Sequence, residues 1–176
     1  MQRVGIAFFL ILFLMNLGQA AETIKIPAQT EVWFSPEGGA REAVLESIAN
    51  AKKEILVGAY KLEDAVVAQA LVDAKKRGVD VSVLLDKKKS RYKTSLKKWL
   101  LEQDVPVFVD SEHFLYHNKV IIIDQETVIT GSFNFKADAE TSNAENLLRL
   151  HSSELAQKYR VDWKKHQKHS AQVKHP

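Results

Sequence analysis

Two residues with complementary chemistry, His117 and Lys119, stand two positions apart. If this segment is a strand, residues two apart point to the same face, so the imidazole and the ammonium lie side by side. A cation beside the ring discourages protonation of the ring, which serves stability poorly but makes sense around an anion. The spacing therefore indicates a neutral imidazole that acts as nucleophile or base while the ammonium holds a phosphate oxygen.

A second polar segment lies downstream. Ser132 and Asn134 follow a glycine and offer a hydroxyl and an amide, both of which can donate hydrogen bonds to phosphate oxygens. Glu145 offers a carboxylate that could bind the far nitrogen of His117, fix its tautomer and stabilise its charged form. Together these residue types suit a site for a phosphodiester.

The order and spacing of these residues resemble a known signature. His117, Lys119 and Asp124, followed after six intervening residues by Gly131-Ser132, are similar to the motif of the phospholipase D superfamily. Further segments resemble the Nuc-like bacterial endonuclease branch of that family, namely residues 74–81, 130–135 and 139–146. The resemblance extends over nearly the whole chain after residue 20.

The resemblance implies a phosphodiesterase that needs no metal or other cofactor. In this family a histidine attacks phosphorus and forms a covalent phosphohistidine, and a second histidine protonates the leaving oxygen and then activates water. The chain carries one copy of the motif. A family-like mechanism would therefore require a twofold homodimer that brings two His117 residues together across the axis.

The resemblance also implies a role for each site residue. His117 would be the nucleophile in one protomer and the general acid in the other, and Glu145 would orient it. Asp124 completes the catalytic motif, but its place at the turn end of the strand favours structural support over contact with substrate. The residues that would bind the phosphate are Lys119, Ser132 and Asn134.

Length and composition limit the possible classes of protein. The 176 residues suffice for one domain, and the contents of 45% hydrophobic and 27% charged residues exclude a disordered or fibrous chain. The formal net charge of +3 is mild and fits a partner that carries phosphates. Because the chain has no cysteine, thiolate zinc sites and cysteine nucleophiles are excluded.

The periodicity of apolar residues predicts an α/β fold in one domain. In the first half, apolar runs alternate with amphipathic segments in the order βαβαβ, which is typical of parallel strands with right-handed crossovers. A hairpin, a last strand and a closing helix over residues 154–167 follow. We expect a mixed, largely parallel central sheet with helices on both faces, as in the phospholipase D-like fold.

The N-terminus has the parts of a secretory signal peptide. Arg3 precedes an apolar run over residues 4–15, and small residues stand at Gly18 and Ala20. The run is shorter than the roughly 20 residues of a membrane-spanning helix, so an N-terminal membrane anchor is the alternative. The predicted organisation is a signal peptide at 1–20, a polar lead-in at 21–29, a catalytic domain at 30–167 and a fraying basic tail at 168–176. The protein would be periplasmic or secreted.

Two further groups of residues have both a structural and a functional interpretation. The basic loop, residues 87–91, is either a solvated turn or a nucleic-acid contact made by Lys87, Lys88, Lys89 and Arg91. His166, His169 and His175 could suggest a metal site. Because no carboxylate or cysteine partner is evident, we interpret them as part of a solvated tail and expect no metal.

The substrate is left open by the motif, because nucleotide and lipid diesters require the same chemistry. We predict an endonuclease of low sequence specificity on DNA or RNA. The alternative is a phospholipase D that hydrolyses phosphatidylcholine-type lipids. No acyl-chain domain and no exposed apolar loop is evident after residue 21, which favours the nuclease. A second alternative, a non-catalytic nucleic-acid-binding protein, would predict a damaged signature, and here the signature is complete.

Overall fold

Strands and helices alternate along residues 29–174, the part of the chain that the computed structural model describes. The helices are α1 (Ala40–Asn50), α2 (Ala65–Lys76), α3 (Lys97–Glu102), α4 (Ala137–Thr141) and α5 (Ser153–His169). The strands are β1 (Thr30–Ser35), β2 (Glu54–Ala59), β3 (Asp80–Asp86), β4 (Val107–Asp110), β5 (Lys119–Ile123), β6 (Thr127–Gly131), β7 (Glu145–His151) and β8 (Ala171–Gln172). The predicted signal peptide, nearly all of the lead-in and His175 lie outside the described residues.

All the strands join one sheet in the order β1-β7-β6-β5-β2-β3-β4-β8. Among residues 29–174, only the β2–β3 and β3–β4 pairings are parallel, whereas the other pairings are antiparallel. The predicted α/β class and mixed sheet are confirmed, but the expectation of a largely parallel sheet was wrong. The βαβαβ half gives parallel neighbours, whereas hairpins and long returns build the second half and reverse the strand direction.

Helices cover both faces of the sheet, as predicted. Every residue of β2 is buried, and its side chains alternate between two apolar clusters. Ile55 and Val57 belong to the cluster that contains α1, α2 and α3, whereas Leu56 belongs to the cluster that contains α5. Trp163 of α5 is buried and donates its indole N–H to the carbonyl oxygen of Val57 at 2.9 Å. This bond fixes α5 against the central strand.

Residues 168–172 are part of the fold, which corrects for these residues the prediction of a fraying tail at 168–176. Helix α5 continues to His169, and β8 then pairs antiparallel with β4. The polar composition of this segment gives no periodic signal. The open edge of β4, however, offers backbone N–H and C=O groups that β8 can pair. No helix within residues 29–174 is long and apolar enough to cross a membrane.

Candidate active site

The topology brings the polar residues to one edge of the sheet. Strand β5 runs antiparallel to β2, with Lys119 opposite Ala59, so β5 begins where the parallel strands end. Strand β6 runs back beside β5 and ends at Gly131, opposite Leu147 near the start of β7. The carboxyl ends of parallel strands are a common place for sites in α/β proteins. His117, Lys119, Ser132 and Glu145 therefore share one edge.

His117 and Lys119 lie side by side, as their spacing predicted. The Nζ atom of Lys119 is 3.2 Å from Nδ1 and 3.4 Å from Nε2 of His117, and it donates to the carbonyl oxygen of His117 at 2.9 Å. Burial and the charge of Lys119 together hold the pKa of His117 below its usual range. The imidazole is therefore largely neutral at pH 7, which is the form that a nucleophile requires.

Burial also lowers the pKa of Lys119, and the nearby charge of Glu145 opposes this shift only in part. The ammonium is thus held in a partly desolvated place, where its attraction for an anion is stronger than in water. No acidic side chain forms an ion pair with Lys119 in the part of the chain that the structure describes. The cation is left available for a phosphate oxygen.

Tyr60 is a site residue that the sequence analysis missed. Its ring lies 4.3 Å from the His117 ring between centroids, and Nζ of Lys119 is 5.1 Å from its centroid. Its backbone N–H donates to the carbonyl oxygen of Asn118 at 2.7 Å, which continues the β2–β5 pairing. Its position could have identified it as a site residue, since it follows directly after a buried apolar run, at the carboxyl end of a strand.

Ser132 and Glu145 form a hydrogen-bonded pair. Oγ of Ser132 donates to Oε2 of Glu145 at 2.6 Å, and Asn143 Nδ2 donates to Oε1 at 3.1 Å. Within residues 29–174, no hydrogen bond joins Glu145 to His117, so a single chain does not form the contact expected to orient the imidazole. Glu145 instead fixes Ser132, whose hydroxyl also accepts from the backbone N–H of Asn146 at 3.1 Å.

Gly131 is required where β6 leads into Ser132. Its φ of 154° is rare for other residues, and a Cβ there would overlap the carbonyl oxygen of Asn146. That same carbonyl oxygen accepts from the backbone N–H of Ser132 at 3.1 Å. The close approach of the two backbones places Ser132 against Glu145, so a larger residue at Gly131 would displace the hydroxyl from the site.

Asn134 carries a buried amide oxygen, Oδ1, that has no hydrogen-bond partner among the described residues. A buried polar atom without a partner costs free energy, so a ligand or a second chain is expected to satisfy it. The neighbouring Phe133 and Phe135 are buried in the core rather than exposed for base stacking, as predicted. Binding of phosphate by Asn134 stays a prediction.

Asp124 lies at the other end of β5 from Lys119, roughly 17 Å away at 3.3 Å per residue. Its carboxylate accepts from three backbone N–H groups, those of Lys52, Lys53 and Glu54, at 2.8, 2.7 and 3.0 Å. Burial alone would raise the pKa of Asp124, but these hydrogen bonds outweigh it and the net shift is downward. Asp124 therefore caps the turn before β2. These contacts favour structural support, and its role in the catalytic motif stays a prediction.

The basic loop lies at the same edge as His117. Oδ1 of Asp86 accepts from the backbone N–H groups of Lys88 and Lys89, both at 2.9 Å, while its Oδ2 accepts from that of Tyr116 at 3.0 Å. Nζ of Lys89 lies 5.3 Å from the centroid of the Tyr60 ring. One buried carboxylate thus ties the basic loop to the segment that leads into His117. The side chains of Lys87, Lys88 and Arg91 are exposed around it.

An exposed apolar pair precedes the site, contrary to the expectation that no apolar loop is exposed. Phe114 is 81% exposed and Leu115 is 36% exposed. Nζ of Lys88 sits 3.9 Å from the centroid of the Phe114 ring, so the basic loop and the aromatic ring form one surface. Two apolar residues between polar ones form no apolar run, so this exposed pair could not be recognised from the sequence.

Comparisons with known proteins agree with this architecture. The family profile described as "Cardiolipin synthase, PLD-like domain" matches residues 44–167. A curated relative named Phospholipase D, from Rickettsia bellii (strain RML369-C), is 40% identical over 130 residues, which are 74% of this chain and 65% of the relative. The chain thus spans about 65% of the length of that relative.

Two solved structures share the fold. The phospholipase D family member Nuc from Salmonella typhimurium superimposes with a TM-score of 0.79 at 36% sequence identity, covering 82% of this chain and 97% of that chain. NucT from Helicobacter pylori superimposes with a TM-score of 0.76 at 20% identity, covering 82% of this chain and 99% of that chain. The second likeness concerns the fold alone.

Proposed function

The chain belongs to the phospholipase D superfamily, and from that premise we propose that it is a metal-independent phosphodiesterase that acts through a covalent phosphohistidine at His117. The observation that carries the proposal is the contact of the Lys119 ammonium, 3.2 Å from a ring whose pKa is lowered by burial and by that ammonium. A neutral nucleophile next to a cation is the arrangement that phosphoryl transfer requires.

The proposed reaction has two displacements. A ring nitrogen of His117 attacks phosphorus with its lone pair, the bond from phosphorus to the leaving oxygen breaks, and a protonated second histidine gives that oxygen its proton. The second histidine then takes a proton from water as the water attacks phosphorus and releases His117. Lys119 would hold the non-bridging oxygens through both steps, together with Ser132 and Asn134.

The second histidine is proposed to be His117 of another protomer. The chain has six histidines, and of those described His113, His166 and His169 group around Asp110, while His151 contacts Thr127 and Glu31. Each of these four histidines makes its contacts with residues other than His117 and Lys119. In a twofold homodimer with the site on its axis, His117 of one protomer would be the nucleophile and His117 of the other would be the general acid.

We propose nucleic acid as the substrate, either DNA or RNA, with cleavage inside the chain and low sequence specificity. Support comes from the basic loop, whose Lys89 reaches the Tyr60 ring that also contacts His117. Lysine side chains neutralise backbone phosphates without reading sequence. The name Nuc of the structure from Salmonella typhimurium points the same way. Export to the periplasm or the medium through a signal peptide is part of this proposal.

One observation favours a second candidate, hydrolysis of phosphatidylcholine-type lipids. Phe114 is 81% exposed and stands three residues before His117 in the sequence, and Leu115 extends the apolar patch. An exposed aromatic ring beside lysines could enter the interface of a bilayer as readily as it could stack on a base. The curated relatives from Rickettsia carry the name Phospholipase D. The same active site would serve both substrates.

A side-by-side assay separates these functions. Purified mature protein is given single- and double-stranded DNA, RNA and phosphatidylcholine vesicles, with His117→Ala as the blank and His151→Ala, an exposed histidine outside the site, as the matched control. We expect cleavage of nucleic acid, little release of choline, and a loss of about 10³-fold or more in His117→Ala.

Each other outcome has a clear meaning. Predominant release of choline would favour the lipid substrate. Tight binding of nucleic acid with no turnover would favour the non-catalytic alternative, and near-normal turnover in a folded His117→Ala protein would refute the proposed chemistry.

A further inference from the structure

Three histidines and one aspartate converge at the carboxyl end of β4, apart from the proposed catalytic residues. We call this set the Asp/His cluster; its members are Asp110, His113, His166 and His169. Each offers one ligand atom, and these four atoms all lie within 4.8 Å of one another. His166 and His169 are three residues apart on α5, so they share one face of the helix.

The sequence interpretation of His166 and His169 as part of a solvated tail was wrong. The side chains of His166 and His169 are only 16% and 18% exposed, and Asp110 is buried. The missing carboxylate partner, Asp110, stands 56 residues before His166 in the sequence, so only the folded chain brings the two together. The prediction that no metal binds this chain therefore rested on incomplete information.

The distances in the Asp/His cluster fit a tetrahedral ion. One carboxylate oxygen, Oδ2 of Asp110, lies 2.9 Å from Nδ1 of His113, 3.3 Å from Nδ1 of His166 and 3.4 Å from Nε2 of His169. Ligand atoms placed 2.0–2.1 Å from a tetrahedral Zn²⁺ are separated from one another by about 3.3 Å. The three edges that start at Oδ2 of Asp110 are therefore within about 0.5 Å of this length, and all four ligand atoms lie within 4.8 Å of one another.

Hydrogen bonding alone leaves this arrangement unsatisfied. Nδ1 of His166 is buried and makes no hydrogen bond, although it lies 3.3 Å from the Asp110 oxygen. Leaving a buried ring nitrogen without a partner costs free energy. An ion that accepts the lone pair of this nitrogen removes the cost. The same ion would be shared by the three imidazoles that lie around one carboxylate.

The outer nitrogens of two imidazoles face carboxylates. Nε2 of His166 is 3.5 Å from Oδ2 of Asp162, and Nδ1 of His169 is 3.5 Å from Oε2 of Glu112. Histidines that bind metals commonly donate the N–H of the second ring nitrogen to a carboxylate, which fixes the tautomer and raises the basicity of the ligand atom. In both residues the inner nitrogen faces Asp110 and the outer nitrogen faces an acid, which is the orientation that a metal ligand requires.

We propose that the Asp/His cluster binds one divalent transition-metal ion, for which Zn²⁺ is the best match. Imidazole and carboxylate ligands in a tetrahedral set suit Zn²⁺, and four protein ligands leave no open position for a substrate or water. The site is therefore structural and takes no part in the proposed phosphoryl transfer.

The ion would join segments that are distant in the sequence. Asp110 ends β4, His113 lies in the following loop four residues before His117, and His166 and His169 end α5. The ring of Tyr116, next to His117, lies 5.2 Å from the His166 ring between centroids. Binding would thus hold the loop that carries His117 against the end of α5.

Zn²⁺ itself is the probe for the test. Tag-free mature protein is freed of metal with a chelator and titrated with Zn²⁺ by calorimetry, and metal content is then measured by mass spectrometry. We expect one ion per chain, a rise in Tm of roughly 5–10 °C at a hundredfold excess over Kd, and three nitrogen ligands and one oxygen ligand at about 2.0–2.1 Å by X-ray absorption.

The variants make the assignment specific. His113→Gln, in an exposed loop where folding is not at risk, and His169→Gln should each weaken Zn²⁺ binding at least about tenfold and reduce the rise in Tm. His151→Gln, at a described histidine outside the Asp/His cluster, should bind like the parent chain. Substoichiometric zinc in the parent chain, or equal binding by His113→Gln and the parent chain, would overturn the proposal. Because the experiment measures metal binding, its outcome is independent of the proposed phosphodiesterase activity.

Discussion

The pairing of His117 with Lys119 sets the pH range in which the proposed nucleophile is available. Burial and the lysine charge lower the pKa of His117, so its ring loses its proton at a lower pH than an ordinary histidine would. The nucleophile must be neutral, so activity should fall when the pH drops below about 6.5 and this ring becomes protonated. The second His117 of the proposed dimer must carry a proton to act as general acid, so activity should also fall at high pH. The acidic limb of kcat/KM against pH reports this step.

The variant Lys119→Gln tests the electrostatic part of that shift. Without the ammonium, burial still lowers the pKa of His117 but the charge contribution is gone, so the acidic limb should move toward higher pH. The rate should also fall by about 10²–10³, because one donor to the transferring phosphate is lost. Lys164→Gln, whose ammonium sits against Trp163 on α5, is the matched control. A rate loss with an unchanged limb would show that Lys119 only binds substrate.

At the scale of the elements, Asp124 is a motif residue whose observed contacts support the fold. Its carboxylate holds the backbone of Lys52, Lys53 and Glu54 at the turn where α1 ends and β2 begins. Strand β2 pairs with both β3 and β5, so this turn fixes the strand that connects the parallel and antiparallel parts of the sheet. The energetic effect of Asp124 should therefore appear in stability.

Replacement of Asp124 by Asn should lower the free energy of unfolding by about 2–4 kcal/mol at pH 7, because charged hydrogen bonds to three backbone groups are weakened. The folded-state pKa of Asp124 lies below its unfolded value, so its stabilisation is present above about pH 4 and is lost as the pH falls through the folded pKa. The difference between parent and variant should thus shrink in acid.

Urea unfolding across this pH range measures the effect of Asp124. Asp138→Asn, at an exposed carboxylate paired with Lys136, is the control and should leave stability nearly unchanged. A variant at Asp124 that keeps full stability but loses turnover would instead place this residue in the chemistry.

The sequence predicted the elements better than their arrangement. Apolar periodicity predicts strands at 55–59 and 79–85 and a helix at 63–77, each bound within about two residues of those of β2, β3 and α2. A fully buried strand and an amphipathic helix have distinct patterns, which is why these elements are predictable. The periodicity did not predict β8, whose pairing depends on the free edge of β4 rather than on its own composition. Most strand pairs are antiparallel, and this likewise depends on which strands become neighbours. Local periodicity carries no information about neighbours.

The same limit applies to the candidate site. His117 and Lys119 were found because their chemistry is encoded in adjacent positions, whereas Tyr60 and Asp86 join the site only through tertiary contacts. The partner of Glu145 was predicted to be His117, but the chain places Ser132 there instead. A carboxylate can be recognised from sequence, but its partner depends on the register of β6 and β7.

At the scale of the whole molecule, the proposed mechanism needs two chains. Sedimentation should show a particle of about twice the 19.9 kDa chain mass, and activity should depend on its formation. After subunit exchange in an equal mixture of parent protein and His117→Ala, the activity should be about one quarter of that of pure parent protein at the same total chain concentration, since mixed dimers have one histidine. Independent active sites would leave about half, and an active monomer would refute the shared site.

Chelation separates the proposed structural ion from the chemistry. Excess EDTA should lower Tm if the Asp/His cluster holds Zn²⁺, but initial rates measured well below the unfolding temperature should stay within about twofold, because the phosphate is held by Lys119, Ser132 and Asn134. Circular dichroism confirms that the chelated chain is still folded during the assay. Loss of turnover in folded protein, restored by Mg²⁺, would indicate metal-dependent hydrolysis.

Asp86 holds two loops with one carboxylate, and this has a consequence for how the protein can diversify. Changes in the backbone of the basic loop are transmitted to Tyr116 and so to the histidine beside it, which makes insertions there costly for turnover. Phe114 lies outside this tie and is 81% exposed, so its side chain can be exchanged without disturbing the backbone. Adaptation of this scaffold to a new diester, in the laboratory or in nature, should therefore begin at Phe114.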